Sequence, residues 1–273
     1  MGAGVVVNSN ISSIHASRVL SKNRGELETA MARLASGKRV NSAADDAAAA
    51  SVALKMKADI ASGDVAIRNI NDGISLFQTF DGAASEVENI LVRMRELATQ
   101  MANGTYDSDD ATAADTEYQA LIVEIDRIAT ETKFNRQSIG DNTAGFVIQM
   151  GAADSDNDTF DNADLSSGTL ATFDDITSST NANGELAAID DALAAVSTAR
   201  ATAGSNINRL GFALSNAQNV SQRLNEALSG LQDTDYAAES ANLARGMVLA
   251  QAGTAMLAQA NQAPQYVLTL LRG

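Results

Sequence analysis

Asp154-Ser155-Asp156-Asn157-Asp158 sets oxygen donors at the alternating spacing with which a calcium-binding loop opens. That chemistry needs Gly at the sixth position for a sharp turn and a bidentate Glu at the twelfth; this chain has Thr159 and Leu165 there. The stretch therefore reads as a solvated acidic loop, and no metal ligand is assigned. His15 is the single histidine and cysteine is absent, which removes thiol nucleophiles, disulfides and cysteine zinc sites. The HExxH, GxSxG and Gly-rich phosphate-loop patterns are missing. Asp45-Asp46 and Asp190-Asp191 are carboxylate pairs, but neighbours on a helix point about 100° apart, so neither makes an acid/base couple. Asp107-Ser108-Asp109-Asp110 suits a helix N-terminus, where carboxylates cap free N–H groups and face the positive dipole end. No catalytic residue, cofactor site or metal site is expected, and the chain does not read as an enzyme.

The elements that would have to hold such chemistry point elsewhere. The net charge is -15, yet Gly246 to Leu271 contains no charged residue, and Met1 to Ser17 has none apart from His15. The tail is too apolar for a washed helix. Its scattered Gln and Asn residues, with Pro264, suit lipid poorly. Both ends therefore read as surfaces buried by protein assembly, not by a membrane. A pI near 4.3 argues against nucleic acid, which requires clustered Lys and Arg. No basic segment precedes an apolar run as in a cleaved signal, and Val6 stands where myristoylation after Met1-Gly2 needs Ser or Thr. Abundant Ala, no Trp and a single Pro favour long, closely packed helices.

Periodicity supplies those helices. A first covers Ser9 to Ser36, with Leu20, Leu27, Met31 and Leu34 on one face and Gly37 as its stop. A second runs from Asp45 to Ala102. Its seam of Ile67, Ile70, Ile74, Phe77, Phe80, Ala84, Val87, Leu91, Met94, Leu97 and Met101 steps by three and four. After Asn103-Gly104 a third, Thr112 to Phe134, is expected to fold back antiparallel. A fourth follows a 3.5-residue period from Ile189 to Leu231, broken only by Arg200 and Ser221. The last helix lines up Leu243, Met247, Ala250, Thr254, Leu257 and Asn261. Between the third and fourth helices, Phe146-Val147-Ile148 predicts a strand and Thr169 to Phe173 a second. The fold class is mostly α: a long antiparallel helical coiled-coil rod with a small β-hairpin/loop module.

Several runs together resemble bacterial flagellin. They are Leu34-Ala-Ser-Gly-Lys-Arg-Val-Asn-Ser-Ala-Ala-Asp-Asp46, Asn71-Asp-Gly-Ile-Ser75, Arg93-Met-Arg-Glu-Leu-Ala-Thr-Gln100, and Glu124-Ile-Asp-Arg127 followed by Phe134-Asn135. At the far end stand Asp235-Tyr236, Gln251-Ala-Gly-Thr254, Leu257-Ala-Gln-Ala-Asn-Gln262, Pro264-Gln265 and Leu268 to Arg272. Ala49 departs from the family's usual Gly. The resemblance implies a short flagellin, a structural subunit polymerising with itself into the extracellular flagellar filament for swimming motility. A hook-filament junction protein or a secreted helical adhesin is the alternative.

By the same resemblance, residues 1–44 with 233–273 form inner-core helices. Residues 45–232 form a rod-shaped helical domain, with a hairpin/loop region near 135–188. Leu20, Leu27, Met31, Leu34, Leu243, Met247, Leu257, Leu268 and Leu271 are the expected filament-core interface. A charge at Leu257 is expected to block assembly and leave the monomer folded. Also implied are type III export without a cleaved signal, an export chaperone on the C-terminal segment, and filament cap and hook-junction partners. Arg93, Leu97 and Glu117 match a surface recognised by the innate immune receptor TLR5.

Overall fold

The computed structural model describes residues 9–141, 145–151, 153, 155–161 and 163–272, with side chains described to residue 262. Among these, six helices are long or short segments of one mostly α chain: α1 Ile11–Ser36, α2 Ala47–Met101, α3 Ser108–Glu131, α4 Ser167–Leu170, α5 Ser179–Gln232 and α6 Tyr236–Arg272. Two antiparallel hairpins lie between α3 and α4: β1 Lys133–Phe134 with β2 Gln137–Ser138, and β3 Phe146–Gln149 with β4 Asn157–Phe160. The chain divides into two compact units, one of residues 1–58 and 224–273, the other of residues 59–223.

In the second unit α2 and α5 run antiparallel. Asp64 accepts from Ser221 Oγ at 3.3 Å, Asp81 pairs with Arg200 at 2.9 Å, and Asp190 with Arg95 at 2.8 Å, so rising numbers on one helix meet falling numbers on the other. The core is the expected seam. Ile70, Phe77, Phe80, Ala84, Val87, Leu91, Met94, Leu97 and Met101 of α2 are buried with Ile189, Val196, Ala203 and Leu210 of α5. Tyr118, Ile125 and Ala129 of α3 complete it. Arg200 and Ser221, the two breaks in the α5 pattern, meet carboxylates of α2. A polar residue in a long seam fixes register when its partner stands opposite.

The hairpins close one region of this core. Ile139, Ile148, Phe160, Leu165 and Ile176 are buried in it. Phe160 meets Phe77 edge to face with centroids 5.9 Å apart, and the Arg209 guanidinium lies 4.9 Å above the Phe160 ring. Gly73 lets Ile148 in: a Cβ built there would sit 2.4 Å from Ile148 Cδ1.

Four expectations change. The partner of β3 is Asn157–Phe160, not Thr169 to Phe173, where α4 and extended chain stand. Pairing Phe146 with Phe160 buries the latter ring, a gain that strand propensity alone does not register. α3 begins at Ser108, because the Asp107 carboxylate accepts from the N–H groups of Asp109 and Asp110. It ends at Glu131, because Lys133 and Phe134 enter β1. α5 begins at Ser179, ten residues before its clean seam, and buries Ala182 and Glu185 there.

Candidate assembly surface

The first unit holds α1 and α6 with the start of α2 and the end of α5. α1 starts where Asn10 Oδ1 accepts from Ser13 N, and stops where Gly37 takes φ 71°, a left-handed cap that glycine adopts without strain. Arg39 donates from its backbone to Gln232 O at 2.7 Å and from Nη2 to Leu231 O at 2.7 Å, while Thr234 N returns a bond to Gly37 O. These bonds tie the end of α5 and the link to α6 beside the end of α1, and α1 and α6 then run antiparallel. Arg33 meets Glu239, Leu27 meets Gly246, Leu20 meets Gly253, and Asn10 Nδ2 donates to Ala260 O at 2.7 Å.

Their seam alternates large against small. Cβ atoms added at Gly246 and Gly253 would lie 3.1 and 3.2 Å from Leu27 Cδ1 and Leu20 Cδ1, so the glycines set a close approach. The less exposed row on α6 is 239, 243, 246, 250, 253, 257 and 260, with steps of three and four. The expected interface residues thus split. Leu20 is buried, and Leu27, Leu34, Leu243 and Leu257 are half-buried on the rows where the helices face each other. Met31 and Met247 are 44% and 48% exposed. The side chains of Leu268 and Leu271 lie outside the described residues.

Several apolar side chains of both helices are open to solvent. Ile11 is 66% exposed, Ile14 60%, Val248 65% and Met256 64%. A groove between the helices is lined by Ile11, His15, Val19, Leu249, Met256 and their neighbours. Patches of this kind on a soluble chain mark protein contact surfaces. The sequence signal for this face was present: a helix apolar all round has more than one partner. No described helix is long and apolar enough to cross a membrane.

The remaining singled-out residues are engaged locally. The Asp45 carboxylate accepts from Ser42 N at 2.8 Å, Asn41 N at 3.1 Å and Ser42 Oγ at 3.1 Å, which holds its pKa below the usual carboxylate value. Asp46 Oδ1 accepts from Ala49 N at 2.9 Å and caps α2. In the acidic loop Asp156 accepts from Ala153 N at 3.0 Å, and Asp158 in β4 pairs with Arg209; Asp154 lies outside the described residues. Arg93 and Glu117 form an interhelical ion pair at 2.9 Å, both about half exposed, with Glu96 also on Arg93. Leu97 is 4% exposed and packs in the core behind them, so it presents no side chain to a shared surface.

Long helices packed along apolar seams, with two antiparallel helices at the chain's ends, define the class as a long-helix, mostly α protein. Comparison with known proteins gives the family. Residues 7–144 match the bacterial flagellin N-terminal helical region and residues 186–271 the bacterial flagellin C-terminal helical region. The chain is 43% identical to a flagellin of Halalkalibacterium halodurans over 98% of its own length and 100% of the relative's. It is 35% identical to one of Listeria monocytogenes over 97% and 99%. The crystal structure of Bacillus cereus flagellin superposes with a TM-score of 0.50 at 38% identity, covering 55% of this chain and 88% of that one. A putative flagellar hook-associated protein from Vibrio parahaemolyticus shares the fold, with a TM-score of 0.58 at 14% identity over 69% and 100%. The chain belongs to the bacterial flagellin family. It is a structural subunit of the extracellular flagellar filament, not an enzyme.

Proposed function

We propose that the paired α1 and α6 helices, residues 1–44 with 233–273, form the inner core of the filament, and that residues 45–232 form the layer around it. The exposed apolar side chains Ile11, Ile14, Val248 and Met256 of the two helices support this reading. Apolar surface left open in this way is favoured to be covered by another protein surface, here copies of the same chain. Val248→Glu tests it: the monomer keeps its helix content by circular dichroism, and seeded polymerisation yields no filaments under electron microscopy. Normal filaments would overturn the assignment.

The same face accounts for the remaining partners. Before assembly it needs cover, which an export chaperone on the C-terminal segment provides during passage through the flagellar type III apparatus without a cleaved signal. Cap and hook-junction proteins meet it at the filament ends. Full-length similarity to flagellins at 43% identity favours a filament subunit over a junction protein.

The exposed Arg93–Glu117 pair supports a second reading, in which this surface is read by the receptor TLR5. Arg93→Ala and Glu117→Ala, each folded by circular dichroism, should lower signalling in receptor-expressing reporter cells. Unchanged signalling by both would remove it.

A further inference from the structure

Asn-Gly occurs twice in this chain, once in a turn and once inside a helix. Asn103-Gly104 lies in the turn between α2, which ends at Met101, and α3, which begins at Ser108. Both residues are exposed, and nothing stands within 4 Å of the Cβ position of Gly104. The turn is held by Asn103 N to Gln100 O at 3.3 Å and Thr105 N to Asn103 O at 2.8 Å. Among the described residues, neither the Asn103 side-chain amide nor the Gly104 N–H has a hydrogen-bond partner. Asn183-Gly184 lies inside α5, and Asn183 Nδ2 donates to Ser179 O at 2.6 Å. There the helix also engages the Gly184 N–H in its own ladder.

We infer that Asn103 is a site of spontaneous, non-enzymatic deamidation, and that Asn183 is protected from it by its helix. The backbone nitrogen of Gly104 loses its proton and attacks Asn103 Cγ. The new C–N bond closes a five-membered succinimide, while the Cγ–Nδ2 bond breaks and ammonia leaves with the proton. Water then opens the ring at either carbonyl, giving aspartate or isoaspartate. In sum an amide and water become a carboxylate and ammonium, and no oxidant or cofactor takes part. Attack requires a free nitrogen, an unhindered approach and a main chain able to rotate; the turn meets the first two, and the lack of a bond at the Gly104 N–H serves the third. Gly184 is just as open around its Cβ position, but the α5 helix denies the free nitrogen and the rotation, since closing the ring would break its ladder.

The product is not neutral to its surroundings. A carboxylate at 103 stands at the negative, C-terminal end of the α2 dipole, where an anion is unfavourable. Isoaspartate also inserts a methylene into the main chain of a short interhelical turn. The modification therefore loosens the connection between α2 and α3 and marks the age of a subunit.

Peptide mapping by mass spectrometry of the full-length protein tests this after incubation at mildly alkaline pH. One sample stays folded and one is held in urea. In the folded sample the mass gain of amide-to-acid conversion, with a reaction of isoaspartyl methyltransferase, is expected at Asn103 and not at Asn183. In urea both sites are expected to convert. Gly104→Ala should slow conversion at Asn103, because its Cβ hinders approach. Equal rates at the two sites in the folded chain overturn the inference. So does an Asn103 that reacts in urea but stays intact when folded.

Discussion

At the scale of residues, the acidic groups work as caps, clamps and register pins. Asp45 shows the pH sign. Its carboxylate is held below the ordinary value by the N–H groups of Ser42 and Asn41 and the Ser42 hydroxyl. Its contribution to the 41–46 turn is complete above the ordinary carboxylate range. It is lost as pH falls through the lowered folded value. Asp45→Ala should therefore speed amide exchange at Asn41 and Ser42 at neutral pH, and acidification of the native chain should reproduce this. Unchanged exchange in the variant would show that the turn holds itself. Tyr118 is the buried counterpart. Its hydroxyl donates to Glu185 Oε2 at 2.7 Å, burial and that carboxylate raise its pKa, and Glu185 Oε1 accepts from Asp174 N at 3.1 Å. Tyr118→Phe leaves a buried carboxylate oxygen without its donor, which costs about 1–3 kcal/mol. A urea unfolding curve should show the lower midpoint with an unchanged slope.

At the scale of elements, the glycines of α6 decide how closely α1 approaches. Gly253→Val places a branched side chain where a single Cβ would already lie 3.2 Å from Leu20 Cδ1. Overpacking of this kind costs about 1–3 kcal/mol, so α1 amides should lose exchange protection while those of residues 59–223 keep theirs. Gly25 is the opposite case: it lies inside α1 with nothing within 4 Å of a Cβ, so Gly25→Ala should stabilise the helix by about 0.5–1 kcal/mol. Thermal unfolding of the two variants should move in opposite directions. These elements differ in how far the sequence foretold them. The α2 and α5 seams were legible over most of their length because long strict periodicity leaves little choice of face. The hairpins were not. β1 and β2 turn through Asn135 and Arg136, with φ 49° and 68°, where the recognisable signal would have been Asn-Gly. β4 reads Asn-Asp-Thr-Phe, and is a strand because its partner and the buried Phe160 make it one. The outward apolar face was half legible. The missing charge announced a buried tail, but the leucine seam that periodicity picks out is the one the chain buries within itself.

At the scale of the whole molecule, that distinction separates folding of a subunit from its polymerisation. α6 carries two adjacent residues with different duties. Leu257 falls on the row facing α1 and is half-buried, whereas Met256 is 64% exposed on the open face. A charge at Leu257 is expected to weaken the helix pair, because its half-buried side chain stands on the row that faces α1. Leu257→Glu should therefore lose exchange protection along both α1 and α6, and fail to assemble for that reason. Met256→Glu should keep the protection and helix content of the native monomer, since its side chain reaches solvent, and still fail to extend seeded filaments. Circular dichroism and amide exchange on the monomers, with electron microscopy of the seeded reactions, read both properties in one pair of variants. Filaments grown from Met256→Glu would mean that the open face of α6 is not where copies meet. A folded but non-polymerising Leu257→Glu monomer would place Leu257 between subunits instead of between the chain's own helices.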